Sequence, residues 1–532
     1  MSQTESYLAH KGFKSWALTM DHKRIGVMYL VTTHLFFLIG GFLALLLRLK
    51  LLSPGPALFS AHTYDVLFTM HGAMMIFLFI IPAIPSSLGN FFIPLLIGAR
   101  DVAFPKLNLF SYYLFVSGIL VILISLVQPI DTGWTFYTPF SAENSAAVTT
   151  VSFGLFLVGM SSILTGLNFI VTIHTLRAPG MTWYRLPLFI WGMYGTSVIQ
   201  VLSTPVIGIT FLLLVAERLF GVGFFDPAKG GDPLLFQHFF WFYSHPVVYV
   251  MILPAMGIIS EVIPCFARKP IFGYKAIAYS ALAIAFISFL VWGHHMFVSG
   301  MSTTAGVIFS FLTFFVAVPT GMKIFNWIAT LYKGSISLDS PMLWALTFIF
   351  LFIIGGLTGL FLGSLATDVH VHDTYFLVAH FHYTMMGGTV MGLFSGLHYW
   401  YPKITGRMLD ERWAKHAWWM IVVGFNVTFF PMFILGMQGM PRRYAEYPAK
   451  YHSLNVLATV GSWLLAVGIV IMFANFIRSL NRGAIAPANP WEALTLEWQV
   501  PSPPPEENFE VIPTVTDWPY SYGKETGDTR GK

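Results

Sequence analysis

A chain of 532 residues that is 56% hydrophobic and only 10% charged is too apolar for a string of soluble domains, which carry about 25% charged residues. Its formal net charge of +5 is explained by cations clustered between apolar runs and calls for no nucleic-acid partner. Its single cysteine, Cys265, excludes intrachain disulfides, thiolate zinc sites and iron–sulfur clusters, so a metal held within the chain must rely on histidine, methionine or carboxylate.

In chain order, a polar leader over residues 1–24 precedes apolar runs at 25–47, 66–97, 108–129, 149–174, 188–216 and 236–263. Further runs follow at 276–298, 305–331, 342–363, 374–400, 416–437 and 455–477. Each is long enough to cross a bilayer as a helix, and none shows the short alternating pattern of a spanning strand. The expected fold is therefore an all-α polytopic membrane protein, a bundle of about twelve helices over 25–477. Residues 478–532, which include "APANPWEALTLEWQVPSPPPEENF", are polar and proline-rich and read as a surface tail. No cleavable signal is expected, because the first apolar run has full span length behind a polar leader.

An even number of spans puts both termini on one side. Lys11, Lys14, Lys23 and Arg24 precede the first span, and Arg100, Lys106, Arg177, Arg185, Arg268, Lys269, Lys403, Arg407, Arg412 and Lys415 fall in loops on that same side. The positive-inside rule makes this side cytoplasmic. A bacterial inner membrane is expected, with the mitochondrial inner membrane, matrix inward, as the alternative.

Histidines within spans need a reason, because a bilayer penalises ionisable groups by a few kcal/mol. The topology places His71, His245, His380 and His382 five to nine residues into spans that begin on the outer side. His294 and His295, in "VWGHHMF", stand just before another span emerges there. The ordinary reading of any one of them is a hydrogen-bonded packing residue, but unrelated core histidines would scatter through the depth. His380 and His382 are about 200° apart around a helix and so point to opposite faces, letting one helix ligate two centres. His71 lies at the depth of His382, which suits two axial imidazoles on one planar macrocycle. The adjacent His294 and His295, with His245, would give three imidazoles to one copper.

The chain resembles subunit I of the haem–copper oxidases, the family that includes the catalytic subunit of cytochrome c oxidase. The resemblance rests on "HGAMMIF", "GNFFIPLLIGARDVAFPKLN", "DTGWTFY", "RAPGM", "SHPVVYVMILP", "WGHHMF", "PTGMKIFNW", "HDTYFLVAHFHY", "FFPMFILGMQGMPRRY" and "NPWEALTLEW", in this order over nearly the whole chain. It implies a terminal oxidase that reduces dioxygen to water with electrons from cytochrome c and pumps protons. His71 and His382 become axial ligands of a low-spin haem, His380 the proximal ligand of a high-spin haem, and His245, His294 and His295 the copper ligands. Tyr249, four residues after His245 and on its helix face, becomes the tyrosine covalently joined to that histidine. Nitric oxide reductases, which are relatives, lack it. The haems are expected to be haem A.

The resemblance also assigns proton routes. Lys323 with Thr320 would lead protons toward the tyrosine, although a lysine eight residues inside a span end also reads as a snorkelling side chain. Asp101 with Asn90, Asn108 and Asn168 matches the mouth of a second route, where Asp101 alone would be an ordinary loop carboxylate. Many relatives end that route on a glutamate in Gly-His-Pro-Glu-Val-Tyr. Here Val247 takes its place and Tyr243 and Ser244 precede it, as in the subtype with a Tyr-Ser pair.

Arg442 and Arg443 match the arginines that meet haem propionates, Arg48 the residue that bonds the formyl group of the low-spin haem, and Trp134 lies near the same outer surface. Lys50 stands where many relatives have a glutamate, which removes the expectation of their calcium or sodium site. His372 and Asp373 match a magnesium site completed by another subunit. The implied partners are a subunit II carrying a dinuclear copper site, a subunit III, small accessory subunits and cytochrome c or a fused or associated haem donor. Two other readings make different demands on the sequence. A quinol oxidase of the same superfamily would lack that dinuclear copper. A transporter with a histidine-lined path would carry polar residues through the full depth, whereas these histidines cluster in one half.

Overall fold

The computed structural model describes residues 5–55, 58–124 and 127–523. Twelve long helical runs form one bundle, and among the described residues there is no strand beyond isolated bridges. They are numbered α1 (His22–Lys50), α2 (Ala61–Ile97), α3 (Pro105–Leu123), α4 (Ala147–Thr175), α5 (Leu188–Phe220) and α6 (Pro233–Ala267). There follow α7 (Tyr274–Leu290), α8 (Thr303–Leu331), α9 (Ser340–Gly363), α10 (375–405), α11 (Glu411–Met437) and α12 (His452–Arg482). Ten are long and apolar enough to cross a membrane; α7 is shorter, and α10 is interrupted by a π-helical turn.

The ends follow local chemistry. Asp21, Ser60, Asp232, Ser302, Thr374 and Asp410 accept hydrogen bonds from the first free N–H groups of α1, α2, α6, α8, α10 and α11. Pro105, Pro233 and Pro341 occupy first turns, where no intrahelical N–H is needed. Between helices that pack strongly, such as α4 with α5, α5 with α6 and α11 with α12, small residues set the spacing. A Cβ on Gly192 of α5 would approach the Leu253 carbonyl of α6 to 2.6 Å. Of the spanning helices, α6, which carries the buried His245, is the most enclosed and α8 the least.

The structure departs from the expected spans at three points. The run expected over 276–298 is α-helical only to Ile287, continues as a 3-10 turn to Leu290, and re-forms as a separate 3-10 turn, Trp292–Met296. The run over 108–129 is helical only to Leu123, and residues 125–126 lie outside the described residues. Lys23 and Arg24 do not precede the first span but lie buried in the first turn of α1, and Lys403 is likewise buried in the last turns of α10.

These buried cations tie the chain ends to one face. Arg24 Nε donates to the Tyr7 carbonyl (2.7 Å), Lys23 Nζ to the Glu506 carbonyl (2.8 Å) and Lys403 Nζ to the Val500 carbonyl (2.7 Å). The N-terminal segment also pairs with the tail, Tyr7 N–H donating to the Pro504 carbonyl at 3.1 Å. Glu497 in the tail is fully buried, accepts from Trp400 Nε1 at 3.3 Å, and is pushed up to about 7 by burial. The polar tail therefore packs as a layer over what is called here the terminal face.

Candidate metal centre

His245 and Tyr249 share one face of α6, and Trp241 one turn earlier completes it. Opposite stand His294 and His295. One nitrogen from each of the three histidines lies within 4.8 Å of the others. His245 Nδ1 faces His295 Nε2 at 3.1 Å, and its Nε2 faces the Tyr249 hydroxyl, also at 3.1 Å. The two ring nitrogens are thus divided, one toward the cluster and one toward the phenol.

His294 and His295 lie beyond the end of α7 in a 3-10 turn, with their ring centroids 4.3 Å apart. Gly293 between Trp292 and His294 makes the turn possible, since a Cβ there would run into the Phe309 ring of α8. Two positioning contacts were not anticipated from sequence. Trp241 stacks on His295 with centroids 3.8 Å apart and planes 6° from parallel, and the Thr313 hydroxyl lies 3.1 Å from His294 Nδ1. The i, i+4 relation of Trp241 to His245 was a usable signal for the first; nothing in the sequence marks Thr313.

The other three histidines share one arrangement. Nδ1 of His71 bonds the Gly40 carbonyl of α1 at 2.8 Å, that of His380 the Gly355 carbonyl of α9 at 3.0 Å, and that of His382 the Val378 carbonyl of its own helix at 2.8 Å. A carbonyl on Nδ1 fixes the proton there and leaves Nε2 as the lone-pair atom, the usual state of a metal-ligating imidazole. His380 faces α9, and His382 stacks on Phe429 of α11 at 4.2 Å, so the two do point apart. A π-helical stretch begins shortly after each of His71 and His382, at Met74–Ile80 and Met385–Val390, and the two stretches touch.

Toward the face opposite the termini stand arginines with unsatisfied nitrogens. Arg48 donates through Nη2 to the Asn455 carbonyl (2.8 Å), while its buried Nε and Nη1 have no partner among the described residues. The Nε atoms of Arg442 and Arg443 are also buried without a hydrogen bond, although Arg442 Nε lies 3.5 Å from Asp373 Oδ1. Burial lowers the Arg442 guanidinium to about 10. Trp134 covers Gly72, beside His71, where a Cβ would lie 3.0 Å from its side chain. Guanidinium groups with buried nitrogens that make no hydrogen bond, next to imidazoles with free Nε2, suit iron macrocycles bearing carboxylates.

His372 and Asp373 do not come together. His372 Nδ1 pairs with Asp368 Oδ2 at 2.8 Å; burial lowers the imidazole, but the Asp368 carboxylate outweighs it and raises the net value. Asp373 instead turns toward Arg442. Lys50 is buried and donates to the Gly55 carbonyl at 3.1 Å.

Of the route residues, Lys323 is buried and donates to the Ile277 carbonyl of α7 at 3.0 Å, and the Thr320 hydroxyl bonds its own helix. Tyr243 and Ser244 are buried, and Ser244 Oγ has no partner among the described residues. Asn90 Oδ1 and both amide atoms of Asn108 are likewise orphaned. Asn168 bonds Phe104 in both directions, fixing the loop that carries Asp101, whose carboxyl burial pushes up to about 7. Tyr29, Ser111, Ser161 and Thr165 form a hydroxyl cluster further in.

The family described as "Cytochrome C and Quinol oxidase polypeptide I" matches residues 24–486. The chain belongs to this family. Among its relatives, the "Cytochrome c oxidase subunit 1" of Thermostichus vulcanus is 47% identical over 527 residues, covering 99% of this chain and 96% of the relative. The protein of the same name from Cereibacter sphaeroides is 42% identical, covering 95% and 96%. A solved heme-copper terminal oxidase dimer shares the fold, with a TM-score of 0.77 at 21% identity over 87% of this chain and 85% of that one.

Proposed function

We propose that this protein is the catalytic subunit of a cytochrome c oxidase, reducing dioxygen to water with four electrons and four protons and coupling this to proton pumping. The observation that carries the reading is the three-imidazole cluster with the Tyr249 hydroxyl 3.1 Å from His245 Nε2, in a chain of this family. His245, His294 and His295 hold the copper, His380 the high-spin haem and His71 and His382 the low-spin haem, haem A being the expected variety. Held by these residues, the haems and copper would supply the electron transfer and redox chemistry that the reduction of dioxygen requires. Arg48, Arg442 and Arg443 orient the haems by charge, and Trp134 closes the site beside His71.

Tyr249 supplies a proton and an electron. Joining His245 Nε2 to a ring carbon of Tyr249 breaks one N–H and one C–H bond and releases two protons and two electrons, which dioxygen accepts. Protons enter from the cytoplasmic face by Lys323 and Thr320 and by Asp101, Asn90, Asn108 and Asn168, the second route ending at Tyr243 and Ser244. Both termini are cytoplasmic, in a bacterial inner membrane, with residues 483–523 as a surface layer, since the helix before the tail runs to Arg482 rather than ending at 477. A subunit II with a dinuclear copper site, a subunit III and small accessory subunits complete the enzyme; a magnesium ion shared with subunit II would draw His372 away from Asp368 and Asp373 away from Arg442.

Peptide mapping of the mature enzyme is expected to find His245 and Tyr249 on one covalently modified peptide, and Tyr249→Phe to lose nearly all turnover. An unmodified peptide mass together with normal turnover of the phenylalanine variant would overturn the reading.

A further inference from the structure

The loop that carries Asp101 is gripped from two directions. From α4, Asn168 Oδ1 accepts from Phe104 N–H (3.0 Å) and Thr172 Oγ1 from Ala103 N–H (2.9 Å), fixing the residues after Asp101. The residues before it are held by the tail: Asn508 Nδ2 donates to the Ala99 carbonyl at 2.9 Å and to the Arg100 carbonyl at 3.1 Å. Its Oδ1 accepts from Lys23 Nζ of α1 at 2.8 Å. His22 lies between, its Nδ1 donating to the Asn90 carbonyl at 2.7 Å and its Nε2 facing Asn508 Nδ2 at 2.9 Å.

Only an amide suits this position. The two carbonyls and the acceptor nitrogen of His22 demand a donor, and the ammonium opposite demands an acceptor. Asn508 is 1% exposed and has φ +60°, a conformation that asparagine tolerates better than longer side chains. The backbone of the Asp101 loop, α1 through Lys23 and the Asn90 turn of α2 are thereby joined through one residue more than 400 positions away in sequence. Asp101 itself lines an open recess of about 700 Å³ with Met20, Phe104 and Lys106.

We propose that Asn508 is a positioning residue for the proton mouth at Asp101, through which the tail governs the rate of proton entry. The proposal rests on the reading of Asp101 as that mouth. The charged groups around Asp101 are Asp21 and Lys23 of α1, Arg100 beside it, Lys106 of α3 and Glu506 and Glu507 of the tail; α4 presents the uncharged Asn168 and Thr172. Loosening the loop admits water to the Asp101 carboxyl and lowers its pKa from the value that burial sustains, so a protonated acceptor is lost earlier as pH rises.

The test uses the whole oxidase complex in vesicles, with Asn508→Leu, Asn508→Ser and Asp101→Asn. In Asn508→Leu, haem and copper content and the rate of low-spin haem reduction are expected to match wild type. Proton uptake is expected to fall several-fold, and the alkaline limb of the turnover profile to move to lower pH by roughly one unit. Asn508→Ser, which leaves room for water, is expected to shift in the same direction by less, and it carries the test if the leucine variant does not assemble. Wild-type uptake and an unmoved pH profile in the Asn508 variants, with Asp101→Asn slowed, would overturn the tail's role alone. Wild-type uptake in Asp101→Asn would overturn the mouth assignment and the proposal with it.

Discussion

At Tyr243 the chain departs most from the glutamate-bearing pattern of many relatives, and the residue scale is where that departure is tested. Tyr243 is buried one helical turn from Val247, which occupies the position of the missing carboxylate. Its hydroxyl is the one side-chain donor that a phenylalanine would remove, and Ser244 beside it has an unpartnered Oγ. Tyr243→Phe is expected to slow turnover or weaken pumping while haem and copper content stay normal. Ser244→Ala is expected to do less, because water replaces a small hydroxyl. Oxygen consumption and proton release measured together in vesicles decide it: wild-type values for both in Tyr243→Phe would mean that protons travel another way. The histidines and Tyr249 were legible in sequence because burying an ionisable group at a defined depth needs a reason, and depth follows from counting residues along a span. Thr313 was not legible, since its helix meets His294 only through packing, whereas the Asp368 partner of His372 stands in an i, i+4 relation that was a usable signal.

At the scale of elements, twelve apolar runs were readable because a bilayer permits little besides helices. The irregular pieces were hidden. His294 and His295 lie in a 3-10 turn beyond the end of α7, a change of helix type that hydropathy does not register. The π-helical stretches near His71 and His382 are equally invisible. Close approach of α9 to α10 is the packing feature on which His380 depends. A Cβ on Gly355 would lie 2.8 Å from the Thr384 side chain and 3.0 Å from its backbone nitrogen, and the Gly355 carbonyl holds His380 Nδ1. Gly355→Val is therefore expected to cost about 1–3 kcal/mol of overpacking and to displace His380. Carbon monoxide binding to the reduced enzyme reports the high-spin haem; an unchanged amplitude and yield in this variant would show that the contact is slack.

At the scale of the molecule, the two ends of the bundle divide the work. The end opposite the termini carries six histidines and three arginines with unpaired nitrogens. The terminal face carries buried cations that fasten the tail and the Asp101 loop. The loop cations that gave the topology include Lys23, Arg24 and Lys403, which the structure shows to be buried clamps, so charge bias and architecture share the same residues. The central claim is that this single chain holds two haems and one copper on those six histidines. The most direct measurement is the reduced absorption spectrum, with haem and copper quantified, of the purified membrane complex beside its His71→Leu and His382→Leu variants. The account predicts low-spin and high-spin haem in the parent, loss of the low-spin signal alone in either variant, and retained copper. A low-spin spectrum unchanged in both variants would contradict it.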